Sequence, residues 1–185
     1  MTLSNLQNER SIAVYADELE EQGDSRAELV RAQLAGQPGQ ELIAQHWSEW
    51  VGALTPEQVL LRWELGHVVE AAVGSAPDDW RLTELLERPA LRFLRRLAVG
   101  PRANVSLLGM ERLESLGALV LLTDRSAGLA ELAGGLQSLT IDLQAKDASP
   151  LSAARLPRLN TLHTRCLPET EESLFRTLAK ASWFS

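Results

Sequence analysis

Four short segments decide the fold of this chain: LRRLAV at residues 94–99, LGALVL at 116–121, LQSLTI at 136–141 and LNTLHT at 159–164. Each carries the spacing L-x-x-L-x-aliphatic, except that the last has threonine in the third place. Their first residues are 22, 20 and 23 positions apart (94 to 116, 116 to 136, 136 to 159). A weaker copy, VVEAAV, occupies 68–73. A period of about 20–29 residues is typical of leucine-rich repeats.

This period predicts an α/β fold. Each repeat supplies one short strand and a return segment, and neighbouring repeats stack because neither part can bury its apolar side alone. We therefore expect a short solenoid of about five parallel strands. Helical turns are expected in the return segments 105–113, 128–133 and 148–156, and a capping helix over 169–180. The repeats are degenerate, because asparagine is missing from the turn positions where regular repeats carry it.

The strands of such a solenoid present one face to solvent. Because side chains alternate along a strand, the repeat leucines point into the core and the residues between them point outward. The candidate partner-binding residues on this face are Glu70, Arg95, Arg96, Val120, Gln137, Ser138, Thr140, Asn160, Thr161 and His163. The face is also expected to include Val69, Ala72, Ala98, Gly117 and Ala118. This profile suits a polypeptide partner better than a small molecule, although a solvated face without a partner is the alternative.

The first fifty residues predict helices. Ser4 with Gln7, and Ser25 with Glu28, have the spacing of capping boxes, in which a hydroxyl and a carboxylate or amide satisfy backbone N–H groups. Apolar residues at helical spacing follow each box. Gly23 separates the two helices because glycine adopts positive φ at little cost. Two helices with so short a connection form an αα-hairpin.

The run YADELEEQGDSRAELVRAQ at residues 15–33 lies across this hairpin. It resembles the repeat-companion domain, whose members typically read YADWLEERGDPRAEFIRLQ. The chain departs from that pattern at Glu18, where the family has tryptophan, at Ser25, where it has proline, and at Ala32, where it has a larger aliphatic residue. The resemblance implies a helical module ahead of degenerate leucine-rich repeats, from large paralogous sets in myxobacteria and planctomycetes. It implies no catalytic residues and no established activity.

The charged residues of this run have two interpretations. Asp17, Asp24, Arg26 and Glu28 could form a polar binding site, or they could hold the turn by caps and ion pairs, which is the simpler interpretation. Arg31 is placed to reach the carboxylates of the first helix. A surface pair of that kind contributes roughly 0–1 kcal/mol.

A third helix is predicted over 41–54, with Trp47 and Trp50 among its apolar residues. A tryptophan buries about 150–250 Å². We interpret this pair as the joint between the hairpin and the repeats, with an exposed aromatic platform as the alternative. The domain boundary then falls after this helix, with a helical module over 1–54 and a repeat region over 55–185.

The segment between the third helix and the first regular repeat predicts two strands and a helix. A strand is expected over 59–65, and Gly66 ends it. The weak repeat copy at 68–73 is interpreted as the edge strand that covers the end of the solenoid. A helix over 78–87 then returns to the strand at 94–99.

Composition excludes several classes of protein. The net charge is −7, with nine acids and three bases in residues 1–50, so the chain lacks the broad positive field that attracts nucleic acid. No apolar run approaches the roughly 20 residues of a membrane span, and the first residues do not have the pattern of a signal peptide. A single cysteine cannot form an internal disulfide. These features together predict a cytoplasmic protein.

No pattern of a catalytic or metal site occurs in the sequence. There is no nucleophile elbow, no phosphate-binding loop, no dinucleotide-binding turn and no histidine spacing that suits a metal, so no cofactor is predicted. Cys166 lies three residues after His163, but an odd step along a strand places them on opposite faces. We interpret Cys166 as a small buried apolar residue.

The sequence therefore favours a non-enzymatic protein-interaction module or scaffold that binds through its repeat strands. The alternative is an accessory or regulatory subunit that binds through the acidic hairpin, with Glu18, Glu20, Glu21 and Glu28 at the contact. An enzyme is the least favoured class. The identity of the partner protein and the oligomeric state, monomer or subunit of a hetero-complex, do not follow from these patterns.

Overall fold

The computed structural model describes residues 9–74, 79–100, 116–123, 136–143, 156–166 and 176. It is a mixed α/β fold, as the sequence predicts, built on one six-stranded sheet in the order β1-β2-β3-β4-β5-β6. The strands are β1 (Val59–Glu64), β2 (His67–Val73), β3 (Arg96–Val99), β4 (Ala118–Thr123), β5 (Ser138–Leu143) and β6 (Thr161–Cys166). The five strands from β2 to β6 are parallel, and β1 is antiparallel to β2.

The parallel strands pair in a constant register. Leu97 of β3 is paired with Leu119 of β4, which is paired with Leu139 of β5. All three are at most 1% exposed. The next inward row (Val73, Val99, Leu121 and Ile141) and the leucines that precede β3, β4 and β5 are also buried, so the inward side from β2 to β5 forms one continuous core. At β6 the core ends: Leu159 and Leu162 are only partly buried, and Thr164, which occupies the third repeat position, is exposed. The repeat spacing is thus sufficient to predict both the strand positions and their register.

The N-terminal helices are α1 (Glu9–Glu21) and α2 (Arg26–Leu34). Gly23, at φ 70°, ends α1, with its N–H bonded to the carbonyl of Glu20 and the N–H of Asp24 bonded to that of Leu19. This is the Schellman arrangement, in which a left-handed residue satisfies the last helical carbonyls. Ser25 does not cap α2 with its side chain, which corrects the predicted capping box. The predicted box at Ser4 lies outside the described residues.

The third predicted helix is two short helices, α3 (Gln40–Gln45) and α4 (Trp47–Trp50). The sequence prediction of one helix over 41–54 is wrong because the chain departs from helical geometry at His46, whose φ is −100° and ψ 16°. This break turns Trp50 inward, where it is 3% exposed. Trp47 is only partly buried.

Strand β1 is joined to β2 by a two-residue turn. Leu65 and Gly66 both have positive φ, at 49° and 74°, as a type I′ hairpin turn requires. The sequence prediction that Gly66 only ends a strand, and that the strand at 68–73 is the edge of the sheet, is wrong, because β1 pairs with β2 and forms the edge itself.

Helix α5 (Asp79–Glu87) agrees with the prediction, and a short 3-10 helix (Pro89–Leu91) follows it before β3. The predicted helical turns at 105–113 and 128–133 lie outside the described residues, as does the one at 148–156 apart from Leu156. Of the predicted capping helix at 169–180, only Arg176 is described, and it is helical.

The turn at Gly23 gives a first prediction. No atom lies within 4 Å of the place where a Cβ would stand on Gly23, so Gly23→Ala changes only the backbone energy of a left-handed residue. We expect a loss of about 1 kcal/mol in the free energy of unfolding, measured by urea titration. Gly23→Asn should lose less, because asparagine tolerates this conformation. An alanine variant as stable as the wild type would contradict the turn geometry.

A second prediction compares two neighbouring residues of β4. Leu119 is 1% exposed, whereas Val120 points to the other side and is half-buried. Leu119→Ala should therefore lose about 2–5 kcal/mol of unfolding free energy by leaving a cavity. Val120→Ala should lose no more than about 1 kcal/mol. Equal losses in the two variants, measured by the same urea titration, would show that the face assignment of β4 is wrong.

Candidate functional site

Two rows of paired residues run across all six strands on the outward side of the sheet, and we call them the open face. The first row is Arg62, Glu70, Arg96, Ala118, Ser138 and Thr161. The second row is Leu60, Ala72, Ala98, Val120, Thr140 and His163. All twelve side chains are half-buried or exposed. The structure thus brings together seven of the ten predicted partner-binding residues, and it adds β1, which the prediction left out.

The remaining three predicted residues lie one position ahead of the rows. Arg95, Gln137 and Asn160 are exposed where β3, β5 and β6 begin. There, two successive N–H groups share one carbonyl: the carbonyl of Arg95 accepts from Gly117 and Ala118, and that of Gln137 accepts from Asn160 and Thr161. These residues border the open face.

Val69 does not belong to the open face, which corrects the sequence prediction. It is fully buried, in a cluster with Tyr15 and Ala16 of α1. The register of β1 with β2 shifts between Arg62 and Trp63. Regular alternation therefore breaks at this end of β2, and Val69 becomes the contact between the sheet and the helical hairpin.

The charged residues of these two rows lie on β1, β2 and β3. Arg62 forms an ion pair with Glu70 at 2.9 Å, and Arg95 lies 3.6 Å from Glu64. Both pairs are substantially exposed, so each contributes roughly 0–1 kcal/mol. Arg96 is exposed, and it has no hydrogen-bond or ion-pair partner among the described residues.

A shallow depression of about 330 Å³ lies over the same three strands. The residues that line it are Leu60, Leu61, Arg62, Glu70, Ala71, Ala72, Arg96 and Ala98. The small side chains of Ala72 and Ala98 form the floor of the depression. Leu60 is 74% exposed and forms one wall, which makes it the most exposed large apolar side chain in the described part of the chain.

A second polar feature was missed by the sequence analysis: a buried cluster between the hairpin and the sheet. His67, at the start of β2, is 2% exposed. Its Nε2 lies 2.5 Å from the Tyr15 hydroxyl, and its Nδ1 lies 3.2 Å from Nη1 of Arg26. Because a guanidinium can only donate, Nδ1 accepts from Arg26, and the ring carries its proton on Nε2 and donates to Tyr15. The edge of Phe93 packs on the same ring.

Arg26 is held in turn by Asp24. The Nε of Arg26 donates to both carboxylate oxygens, at 2.9 and 3.1 Å, and Nη2 donates at 2.5 Å. Asp24 also accepts the backbone N–H of Arg26, the first residue of α2, at 3.0 Å, and so satisfies one of the N–H groups that have no partner within the helix. The ion pair therefore caps α2 and fixes the guanidinium against His67.

Burial determines the protonation states of this cluster. Desolvation, together with the charge of Arg26, lowers the pKa of His67 to about 3. Desolvation also raises the pKa of Tyr15. It would raise the pKa of Asp24 as well, but the hydrogen bonds and charge of Arg26 outweigh it and leave that pKa below its ordinary value. His67 is thus neutral wherever the protein is folded at ordinary pH.

These contacts give a structural role to five side chains of the run at residues 15–33. Its side chains Tyr15, Ala16, Leu19, Asp24 and Arg26 are used to attach the hairpin to the sheet. The interpretation of Asp24 and Arg26 as parts of a held turn agrees with this geometry. The contact between Arg26 and His67 could not be predicted from the run, because His67 lies 41 residues beyond Arg26 and outside it.

The outer side of the hairpin carries exposed charges. Arg31 of α2 donates to Asp17 at 2.8 Å and to Glu20 at 2.6 Å, as the sequence predicted. The carboxylates of Glu18, Glu21 and Glu28 are exposed. This surface is acidic and solvated.

Trp50 joins the hairpin to the sheet, which agrees with the sequence interpretation. Its Nε1 donates to Ser25 Oγ at 2.8 Å, and its ring lies 5.6 Å from that of Trp63 in β1. Trp47 instead donates to the carbonyl of Leu54. Trp47 also packs, partly buried, against the core of the sheet, but of the two tryptophans it is Trp50 that bonds to the hairpin.

Ser25 and His46 are close to each other, but their arrangement does not suit nucleophilic catalysis. Ser25 Oγ donates to Glu49 at 2.7 Å, and His46 Nδ1 lies 2.9 Å from the other oxygen of the same carboxylate. These bonds, first that of Ser25, lower the pKa of Glu49. The histidine is bonded to the carboxylate and not to the hydroxyl, so the direct serine–histidine hydrogen bond of a serine nucleophile is not made here.

Comparison with protein-family models, with curated proteins and with solved structures found no match for this chain. Among the described residues, no helix combines the length and apolar character that a membrane crossing needs. In the same residues, no three His, Cys, Asp or Glu side chains are grouped as metal ligands would be.

The buried cluster gives a third prediction. An unfolded histidine titrates near pH 6.5, whereas folded His67 stays neutral to about pH 3. Between these values the unfolded state binds the extra proton, so stability falls as the pH is lowered. From pH 7.5 to 5.0 this group should cost the wild type about 2 kcal/mol of unfolding free energy. His67→Gln, which retains an acceptor and a donor, should lose that much less over the same interval.

The control for this measurement is Val120→Ala, which removes no titratable group and should keep the wild-type pH dependence. Asp24 affects stability only at lower pH, because its lowered folded pKa matters below an unfolded pKa of about 3.9. Urea titrations at pH 7.5 and 5.0 therefore measure the contribution of His67 without that of Asp24. Identical pH dependence in the wild type and in His67→Gln would contradict a neutral, buried His67.

Proposed function

We propose that this chain is a non-catalytic protein-interaction module of the leucine-rich-repeat type, a short solenoid preceded by a repeat-companion hairpin. In this proposal it acts in the cytoplasm and binds a polypeptide partner through the open face. The single observation that carries the proposal is the difference between the two sides of the same strands. The inward rows of β2 to β5 are almost completely buried, while both outward rows remain accessible to solvent.

The character of the outward rows supports a macromolecular partner. The rows cross six strands, which lie about 4.8 Å apart in a sheet, so the surface extends over roughly 25 Å. It is broad and shallow rather than enclosed, and its middle consists of small and polar residues such as Ala118, Ser138 and Thr140. Small-molecule sites are usually concave and bury most of their ligand. A polypeptide segment matches this surface better.

The hairpin is the weaker candidate for the binding surface. Tyr15, Asp24 and Arg26 are already used in its attachment to β2. What it offers to a partner is an acidic outer surface around Glu18 and Glu21. The charge pattern there is that of a solvated helix, and an experiment that samples both surfaces distinguishes the two proposals.

A fourth prediction tests the surface directly. A photoreactive benzoylphenylalanine at Thr140, in the middle of the open face, should form a covalent adduct with another polypeptide when the protein is irradiated in its source cells. The same group at Glu18, on the hairpin, should form none, because that surface faces solvent. Gel shifts and mass spectrometry of the purified adducts identify the two chains that are joined.

The two positions are matched controls, since both accept a large side chain without entering a buried cluster. An adduct from Glu18 alone would contradict binding through the open face and support the accessory-subunit alternative. Absence of an adduct from Thr140, and also from a second open-face position at Ala98, would mean that the open face is solvated and idle.

A further inference from the structure

We propose that the open face selects an acidic partner segment, one that places an aliphatic side chain in the depression over β1, β2 and β3 and a carboxylate on Arg96. This inference rests on the proposed function and adds the chemistry of the partner. It follows from the arrangement of apolar and charged residues in the two rows.

The apolar part of the site lies in the second row. Leu60, Ala72 and Ala98 are consecutive there, and Val120 follows. The two alanines form a low floor between the larger side chains of Leu60 and Val120, so the row has a notch that an aliphatic side chain can fill. In the unbound chain, the Leu60 side chain is 74% exposed. Covering it would bury apolar surface, at about 25 cal/mol for each Å² removed from water.

The charged part lies beside this notch in the first row, in the order Arg62, Glu70, Arg96. The carboxylate of Glu70 is bonded to Arg62 on its β1 side. Arg96, on the other side of Glu70, keeps its guanidinium exposed and without a partner among the described residues. A guanidinium binds a carboxylate through two parallel hydrogen bonds, which makes it selective for acidic groups.

The local charge opposes that of the chain as a whole. Among the described residues, three bases and two acids lie around the depression, an excess of one positive charge: Arg62, Arg95 and Arg96 against Glu64 and Glu70. The whole chain carries −7. At physiological ionic strength, charges are screened over about 8 Å, so a segment on the open face experiences mainly Arg96 and its neighbours. A basic segment would meet Arg96 directly and be repelled.

The fifth prediction uses a random twelve-residue peptide library displayed on phage and selected on the full-length protein. Enriched peptides should pair an aliphatic residue with Asp or Glu. A synthetic enriched peptide should bind about tenfold more weakly to Arg96→Glu than to the wild type, and about two- to fivefold more weakly to Arg96→Gln. Glu70→Gln should strengthen binding about twofold, because it removes the negative charge beside Arg96.

The matched control is Arg10→Glu, which makes the same change in net charge on an exposed residue of α1. It should leave the affinity of the peptide unchanged. Raising sodium chloride from 50 to 500 mM should weaken binding to the wild type by about fivefold and change binding to Arg96→Gln much less. Fluorescence anisotropy of a labelled peptide measures all of these affinities.

Three results would overturn the proposal. These are enrichment of basic or neutral peptides or of none, equal affinity of the wild type and Arg96→Glu, and self-association of the wild type that both Arg96→Glu and Glu18→Lys abolish. The last result, detected by sedimentation velocity, would assign the face to α1 of a second copy. A partner crosslinked at Thr140 that is not acidic would leave the proposed function intact and refute this inference alone.

Discussion

One-sided burial of a parallel sheet is the constraint on which the rest of this structure depends. Each strand from β2 to β5 contributes leucine, valine, alanine or isoleucine to the same buried inward rows, and β6 adds the partly buried Leu162; the in-register pairing aligns these residues from strand to strand. A slip of one residue in any strand would move its apolar set outward and its polar set into the core. Register, strand order and the position of the open face therefore follow from a single requirement.

The hairpin is attached to this sheet by a different kind of interaction. Its apolar contacts through Tyr15, Ala16 and Val69 surround a polar cluster in which Asp24 orients Arg26, and Arg26 bonds to His67. Each polar group has a partner, which is the condition for burying such groups without a large free-energy cost. Protonation of His67 would place a second positive charge against Arg26 in a dry environment. The attachment is therefore geometrically specific and requires a neutral imidazole.

The polar residues of the hairpin attachment and those of the open face have different roles. Those of the run at 15–33 that point toward the sheet serve the internal attachment, while the residues of the open face have mostly solvent or weak exposed pairs as partners. Arg96, which has no partner among the described residues, lies beside an exposed Leu60 and two alanines, and this group contributes nothing evident to folding. Residues of that kind are expected where a surface recognises another molecule. The acidic-segment proposal and the open-face proposal have this common basis, although they can fail separately.

The sequence by itself determined the elements with strong local patterns. The spacing at 94–99 and its copies was enough to place β3 to β6 and their inward leucines, because strand alternation and a fixed repeat leave few other solutions. The hairpin turn at Gly23 was equally evident. Most residues of the open face were also predicted, because they are the residues that alternate with the inward leucines along each strand.

Only the tertiary structure decided the contacts that join distant segments. The pairing of β1 with β2, the burial of Val69 and the break at His46 each depend on neighbours that no local spacing reveals. The same is true of His67, whose state is set by Tyr15 and Arg26, 52 and 41 residues away. The periodicity of a sequence shows which side of a helix or strand is apolar. It does not show which polar side chains contact each other across an interface, because those contacts depend on how the helices and strands pack.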